Sequence, residues 1–313
     1  MTQQEGSVEV LSTARESTAG PALRLGFGAL GNRPDEIVEL ARYAESVGFA
    51  RIWFGDHLCQ PAQQDSKYPY GSTALTLTTV DYLDPLVQAA AIAGATRTIE
   101  IATAVFLLPM HHPLVIARAL LTLQAAARDR FVFGVGVGWM PEEFATLGVP
   151  FERRGRRMDE SLEILRAART GEPIEYHGSE FDFESLTISH RPLSVPLIVG
   201  GASNAALRRA ARLGDGWVSS PDLDRDGLLR ARDRIEAWRT EYGTKDRPFT
   251  YYVRLWRPDP ELADRLMADG FTEFNIGTVD LFPRDKVASM SHDEKCAALD
   301  GVARDFGLTA AAI

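Results

Sequence analysis

The chain is predicted to form a closed (β/α)8 TIM barrel, an α/β fold, on three observations. Short apolar runs alternate with amphipathic helical stretches from Leu23 onward, the pattern of parallel strands joined by crossover helices. Eight such pairs can be counted, which favours a closed barrel over an open sheet. The 313 residues, 45% of them hydrophobic, are enough for one large core. Residues 1–22 are rich in Ser, Thr, Ala, Gly and Glu without periodicity, and are expected to form a disordered tail. The barrel domain is then 23–313.

The first strand is Leu23 to Gly28, followed by a helix over Asp35 to Val47 with apolar Ile37, Leu40, Ala41, Ala44 and Val47 at helical spacing. Arg51 to Phe54 is the second strand. A long polar connection, Leu58 to Tyr82, follows it and suits a lid. The third strand is Ile99 to Val105 and the fourth Phe131 to Val135. A helix over Arg154 to Ala168 carries Met158, Leu162 and Leu165 on its apolar face, and Arg153, Arg154, Arg156 and Arg157 near its start suit a solvated side with an Arg156–Glu160 pair or the binding of an anion. Alternating aromatic residues between Glu172 and Ser194 suggest a hairpin inserted before the fifth strand, Pro196 to Val199. The helix Ala205 to Leu213 and the strands Trp217 to Ser219, Thr250 to Leu255 and Glu273 to Ile276 complete the barrel.

Composition excludes several functions. With 34 basic and 43 acidic residues the net charge is −9, so no nucleic-acid surface is expected. Only Cys59 and Cys296 are present, without CxxC or a Cys/His spacing typical of zinc, so neither a disulfide framework nor a metal site is expected and a reducing compartment fits. The N-terminus has no basic and apolar leader, and no run approaches the roughly 20 apolar residues that span a bilayer. A cytoplasmic protein is expected.

In a TIM barrel the C-terminal strand ends carry the chemistry. That places Asp56, His57, Thr103, Gly136, Gly200 and Ser220 at one mouth. Asp56-His57 puts an acid beside an imidazole that titrates near neutrality, suited to proton handling or to a hydrogen-bonded structural pair. The fourth strand runs into RFVFGVGVGWMPEEF, where Gly134, Gly136 and Gly138 remove side chains. This is not the dinucleotide fingerprint, because Met140 and Pro141 follow where a helix should open. Gly200-Gly201-Ala202-Ser203 leads into a helix N-terminus, a seat for phosphate or an ordinary cap. His111 and His112 are adjacent and precede Pro113, an arrangement that suits structure better than metal.

Four blocks taken together resemble the luciferase-like monooxygenase superfamily, specifically its coenzyme F420 (deazaflavin) dependent oxidoreductase branch. They are ELARYAESVGFARIWFGDH, YLDPLVQAAAIAGATRTIEIATAVFLLPMHHPLVIARALLTL, RFVFGVGVGWMPEEFATLGVPFERRGRRMDESLEIL and PLIVGGASNAALRRAARLGDGW, spanning about Leu23 to Gly216. The resemblance implies a ring lying over the third strand at Thr103, Ala104 and Val105, with a non-prolyl cis peptide at Ala104-Val105. It implies Asp56 and His57 near the polar edge of the ring, with His57 polarising it or relaying a proton. Gly136, Val137 and Gly138, with Trp139 and Glu142 beyond them, would follow the ring and ribityl chain, and Gly200, Gly201, Ala202 and Ser203 would hold the phosphate.

One departure matters: sugar-phosphate dehydrogenase members carry an acid where this chain has Trp139. The implied reaction is hydride transfer between F420 and a small organic substrate, in a homodimer. An FMN-dependent two-component monooxygenase, using O2 and a flavin reductase partner, is the alternative, and a non-catalytic cofactor-binding protein is a third reading. A phosphate-ligand aldolase would need a strand-end lysine, and Lys67, Lys245, Lys286 and Lys295 all fall in expected loops or helices.

Overall fold

A computed structural model of the chain describes residues 22–29, 32–33, 35–69, 83–282, 286–287 and 289–310. The expected tail, apart from residue 22, and positions 70–82 of the expected lid lie outside the described residues. Eight parallel strands close into a barrel: β1 (Arg24–Gly28), β2 (Arg51–Phe54), β3 (Glu100–Thr103), β4 (Phe131–Val135), β7 (Leu197–Gly200), β8 (Gly216–Val218), β9 (Thr250–Leu255) and β10 (Glu273–Ile276). The antiparallel hairpin β5 (Ile174–His177) and β6 (Asp182–Leu186) is the insertion, placed between the fourth and fifth barrel strands. The helices are α1 (Ile37–Ser46), α2 (Pro85–Ala95), α3 (Pro113–Ala127), α4 (Pro141–Thr146), α5 (Arg154–Ala167), α6 (Asn204–Leu213), α7 (Arg225–Glu241), α8 (Pro260–Ala268), α9 (Thr278–Leu281) and α10 (His292–Asp305). Among the described residues no helix is long and apolar enough to cross a membrane.

Strand side chains alternate between two cores, as a period of two requires. On β4, Phe131, Phe133 and Val135 pack outward against the helices, whereas Val132 joins Trp53, Ala102, Ile198, Val218 and Tyr252 inside the barrel. The same period explains the glycine spacing, since Gly134 and Gly136 share the register of Val132. Helix starts follow capping chemistry. Asp84 accepts the amides of Leu86 (2.8 Å) and Val87 (3.1 Å) ahead of Pro85 in α2. Ser291 and Glu294 form a reciprocal capping box on α10.

Two expectations need correction. The third strand ends at Thr103 rather than Val105, and the Ala104–Val105 peptide that follows is cis, as the resemblance implied. Pairing resumes only as an isolated bridge between Phe106 and Val135. The Arg156–Glu160 pair does not form. Glu160 instead accepts the amides of Ser179 (3.0 Å), Glu180 (2.9 Å) and Phe181 (3.1 Å) at the tip of the β5–β6 hairpin, satisfying donors that a tight turn would leave unpaired.

Candidate functional site

A cavity opens at the C-terminal mouth of the barrel and encloses about 840 Å³ of space, its open mouth included. Its two halves differ. Toward β3, β4 and β7 the lining is Ala104, Val105, Gly136, Val137, Gly138, Trp139, Gly200, Gly201 and Ser203. Toward β8, β9 and β10 it is Val218, Ser219, Ser220, Pro221, Arg254 and Asn275.

The first half has a low floor, in which glycines leave room for the small side chain of Val105. A Cβ on Gly136 or on Gly200 would run into the γ carbons of Val105, so these three strand ends touch through backbone and one small side chain. The floor ends at the N-terminus of α6, where Ser203 caps by accepting the Ala206 amide at 3.2 Å. Trp217 Nε1 donates to the Gly201 carbonyl at 2.7 Å and holds the glycine turn in place. A flat ring over the floor, with an anionic group at the helix end, fits these residues.

Nine of the sequence-derived site residues therefore line the cavity, and five do not. Thr103 is fully buried and its hydroxyl donates to the Gly134 carbonyl at 2.7 Å, tying β3 to β4 beneath the floor. Ala202 lies between two lining residues. Glu142 faces the loop after β2, where it accepts from the Asp65 and Ser66 amides (each 3.0 Å) and the Ser66 hydroxyl (2.8 Å). Asp56 and His57 stand one layer behind the wall. Asp56 Oδ2 accepts the amide of Leu107, a lining residue, at 2.9 Å. The His57 ring meets Trp139 edge-on with centroids 6.0 Å apart, and Tyr68 meets the same indole at 5.4 Å.

Glu143 organises this layer and was not among the residues singled out from sequence. It is fully buried; Oε1 accepts the Leu58 amide at 2.7 Å and Oε2 lies 3.0 Å from His57 Nδ1. A carboxylate only accepts, so Nδ1 is the nitrogen that carries a proton toward Glu143. The neighbouring acids Glu142 and Glu143 point to different partners because adjacent helical positions do not share a face. His111 and His112 are structural: His111 stacks on Phe106 at 4.6 Å, and His112 caps α3 through the Leu114 amide at 3.3 Å.

Desolvation raises the Asp56 carboxyl from 3.8 to about 6, against the opposing Leu107 hydrogen bond and His57, while Asp84 and Glu143 push it further up. The sign follows. Between 3.8 and about 6 the folded chain binds a proton that the unfolded chain has released, so stability falls as pH rises through this window. Asp56→Asn keeps an oxygen for the Leu107 amide and removes the charge. It should be more stable than the parent at pH 7.5 by about 1–2 kcal/mol, discounted for partial exposure, with the gain fading toward pH ~4. Denaturation midpoints at the two pH values measure this, and a gain independent of pH would contradict it.

A family model described as luciferase-like monooxygenase matches residues 9–298. The chain belongs to the luciferase-like monooxygenase family. It is an oxidoreductase of the F420- or flavin-dependent kind that makes up this family. An uncharacterised protein of Mycobacterium tuberculosis is 35% identical over 219 residues, 69% of this chain and 75% of that one. An F420-dependent glucose-6-phosphate dehydrogenase of Nakamurella multipartita is 32% identical over 228 residues, 69% of this chain and 63% of that one. Among solved structures, the coenzyme F420 dependent tetrahydromethanopterin reductase of Methanopyrus kandleri shares the fold, with a TM-score of 0.68, 15% identity and coverage of 91% of this chain and 98% of that one.

Proposed function

We propose that this luciferase-like chain is an F420-dependent oxidoreductase acting on a small organic substrate. The observation that carries the reading is the low floor in which Val105 packs over Gly136 and Gly200, running to the capped N-terminus of α6. The F420-dependent dehydrogenase of Nakamurella multipartita supports the choice of cofactor. The deazaflavin, when bound, supplies hydride chemistry.

The chain's own residues bind, orient and exclude water. Ala104, Val105, Gly136, Val137 and Gly138 carry the ring and its chain, and Gly200, Gly201 and Ser203 receive the phosphate with the α6 amides. Trp139 and Tyr68 line the cavity, and Trp139 meets the His57 ring edge-on. His57, its Nδ1 facing Glu143, acts from behind Trp139, polarising the bound ring or relaying the proton that accompanies hydride transfer. Trp139 in place of an acid argues against a sugar-phosphate substrate.

The family description favours one other reading, a two-component monooxygenase that takes reduced FMN from a flavin reductase and uses O2. Parallel titrations of the full chain separate the two. Oxidised F420 should bind at micromolar concentration and reduced FMN at least about tenfold more weakly, a difference of about 1.4 kcal/mol. The reverse order would replace this proposal with the monooxygenase. Sedimentation of the same samples tests the accompanying homodimer, for which α2 exposes Val87, Ala90, Ala91 and Gly94 without a charge among them. A monomer at micromolar concentration would remove that part.

A further inference from the structure

The polar half of the cavity holds buried groups that no described residue pairs. Ser220 and Asn275 are 5% and 4% exposed. Ser220 Oγ, Asn275 Oδ1 and Arg254 Nε have no hydrogen-bond partner among the described residues. All three residues line the cavity, and they come from or just beyond the adjacent strands β8, β10 and β9. Folded proteins pair more than about nine in ten such groups, so three together call for a ligand or ordered water.

Arg254 is fixed where it stands. Its Nη2 lies 3.1 Å from Asp280 Oδ2, and its amide donates to Ser219 Oγ at 2.9 Å. The guanidinium lies so close over Gly277 that a Cβ there would meet both Nη2 and Cζ. Arg254 is also the one charged side chain among the described residues lining the cavity, and Asp280 offsets its charge. The site thus offers hydroxyl, amide and N–H groups without a net charge.

We propose that Ser220, Arg254 and Asn275 are the substrate-recognition subsite, and that they select a neutral carbonyl or hydroxyl oxygen over a carboxylate or phosphate. The inference rests on the oxidoreductase reading and names its substrate class. A free carboxylate would leave its charge opposed by Asp280, whereas a ketone oxygen accepts from Ser220 and Arg254, and an alcohol can also donate to Asn275 Oδ1, neither adding charge. The glycine floor lies across the cavity on β4 and β7, leaving β8 to β10 for the substrate.

The test uses the full chain loaded with whichever oxidised cofactor the titrations select, so that no hydride is available and binding alone is read. Cofactor affinity, measured separately, shows whether the oxidoreductase reading has failed. Affinities are then measured by ligand-observed NMR for cyclohexanone, methylenecyclohexane and cyclohexanecarboxylate, which share one carbon ring. Cyclohexanone should bind best. Ser220→Ala should lower the ketone-to-alkene affinity ratio about 3- to 10-fold, the size of one hydrogen bond, with alkene and cofactor affinities unchanged, whereas Asn275→Leu, which removes an acceptor that a ketone cannot use, should not lower it. Preference for the carboxylate, an unchanged ratio in Ser220→Ala, equal loss of ketone and alkene, or no detectable ketone binding would each overturn the proposal.

Discussion

Glu143→Gln should lower kcat by on the order of 10²-fold while cofactor affinity changes less than about threefold. The reason is a forced inversion of the His57 tautomer. The Leu58 amide, 2.7 Å from one Glu143 oxygen, can only donate, so the single oxygen of glutamine must stay on it. The glutamine NH2 then faces His57 Nδ1, 3.0 Å away in the parent, and that nitrogen has to become an acceptor. The proton moves to Nε2, and a base becomes a donor with almost no change of shape. Nitrogen NMR of the imidazole reads the tautomer directly, and a merely structural role for Glu143 would not move it. His57→Ala should lower kcat by a similar or larger factor and also retain cofactor. Full turnover in His57→Ala would remove His57 as the proton-handling group. Lost turnover in Glu143→Gln with the parent tautomer intact would remove Glu143 as the positioning group.

The barrel was legible because its signals are local. Most of the eight strands are short apolar runs ended by glycine or polar residues, and each is found within two residues of its expected bounds, the third shortened at both ends. The GVGVG segment was legible for a further reason: a spacing of two keeps Gly134 and Gly136 on one face, where the floor forms. What could not be read is long-range. Nothing local distinguishes Glu143 from Glu142, because the choice depends on which loop each meets, the Leu58 amide or the Asp65–Ser66 turn. Arg254 and Asn275 carry no motif. Their importance comes from lying on neighbouring strands with unpaired atoms, which only the closed barrel brings together. Thr103 shows the opposite error, since a strand-end position can point under the floor instead of over it.

Arg51→Met should destabilise the protein by about 3–5 kcal/mol at neutral pH while leaving cofactor affinity unchanged. Arg51 begins β2 and is 1% exposed, with Nε 2.8 Å from Glu100 and Nη1 3.0 Å from Glu273. Those acids begin β3 and β10, so the guanidinium plugs the N-terminal end of the barrel, and it also packs 4.6 Å from the Tyr252 ring centre. Methionine restores much of the volume but not the charge. Arg24, 2.6 Å from Glu100 and 3.0 Å from Glu273, is half-exposed and compensates only in part. The residual cost is two acids held together with too little positive charge, so neutralising one should recover stability. Arg51→Met with Glu273→Gln is therefore expected to lie closer to the parent than the sum of the two single changes, by about 1–3 kcal/mol of coupling in denaturant titrations. Strict additivity would mean that the arginine acts by filling space alone. Because stability and chemistry occupy opposite ends of this fold, a change in cofactor affinity would show that the two ends are coupled through the interior layer of Trp53 and Tyr252.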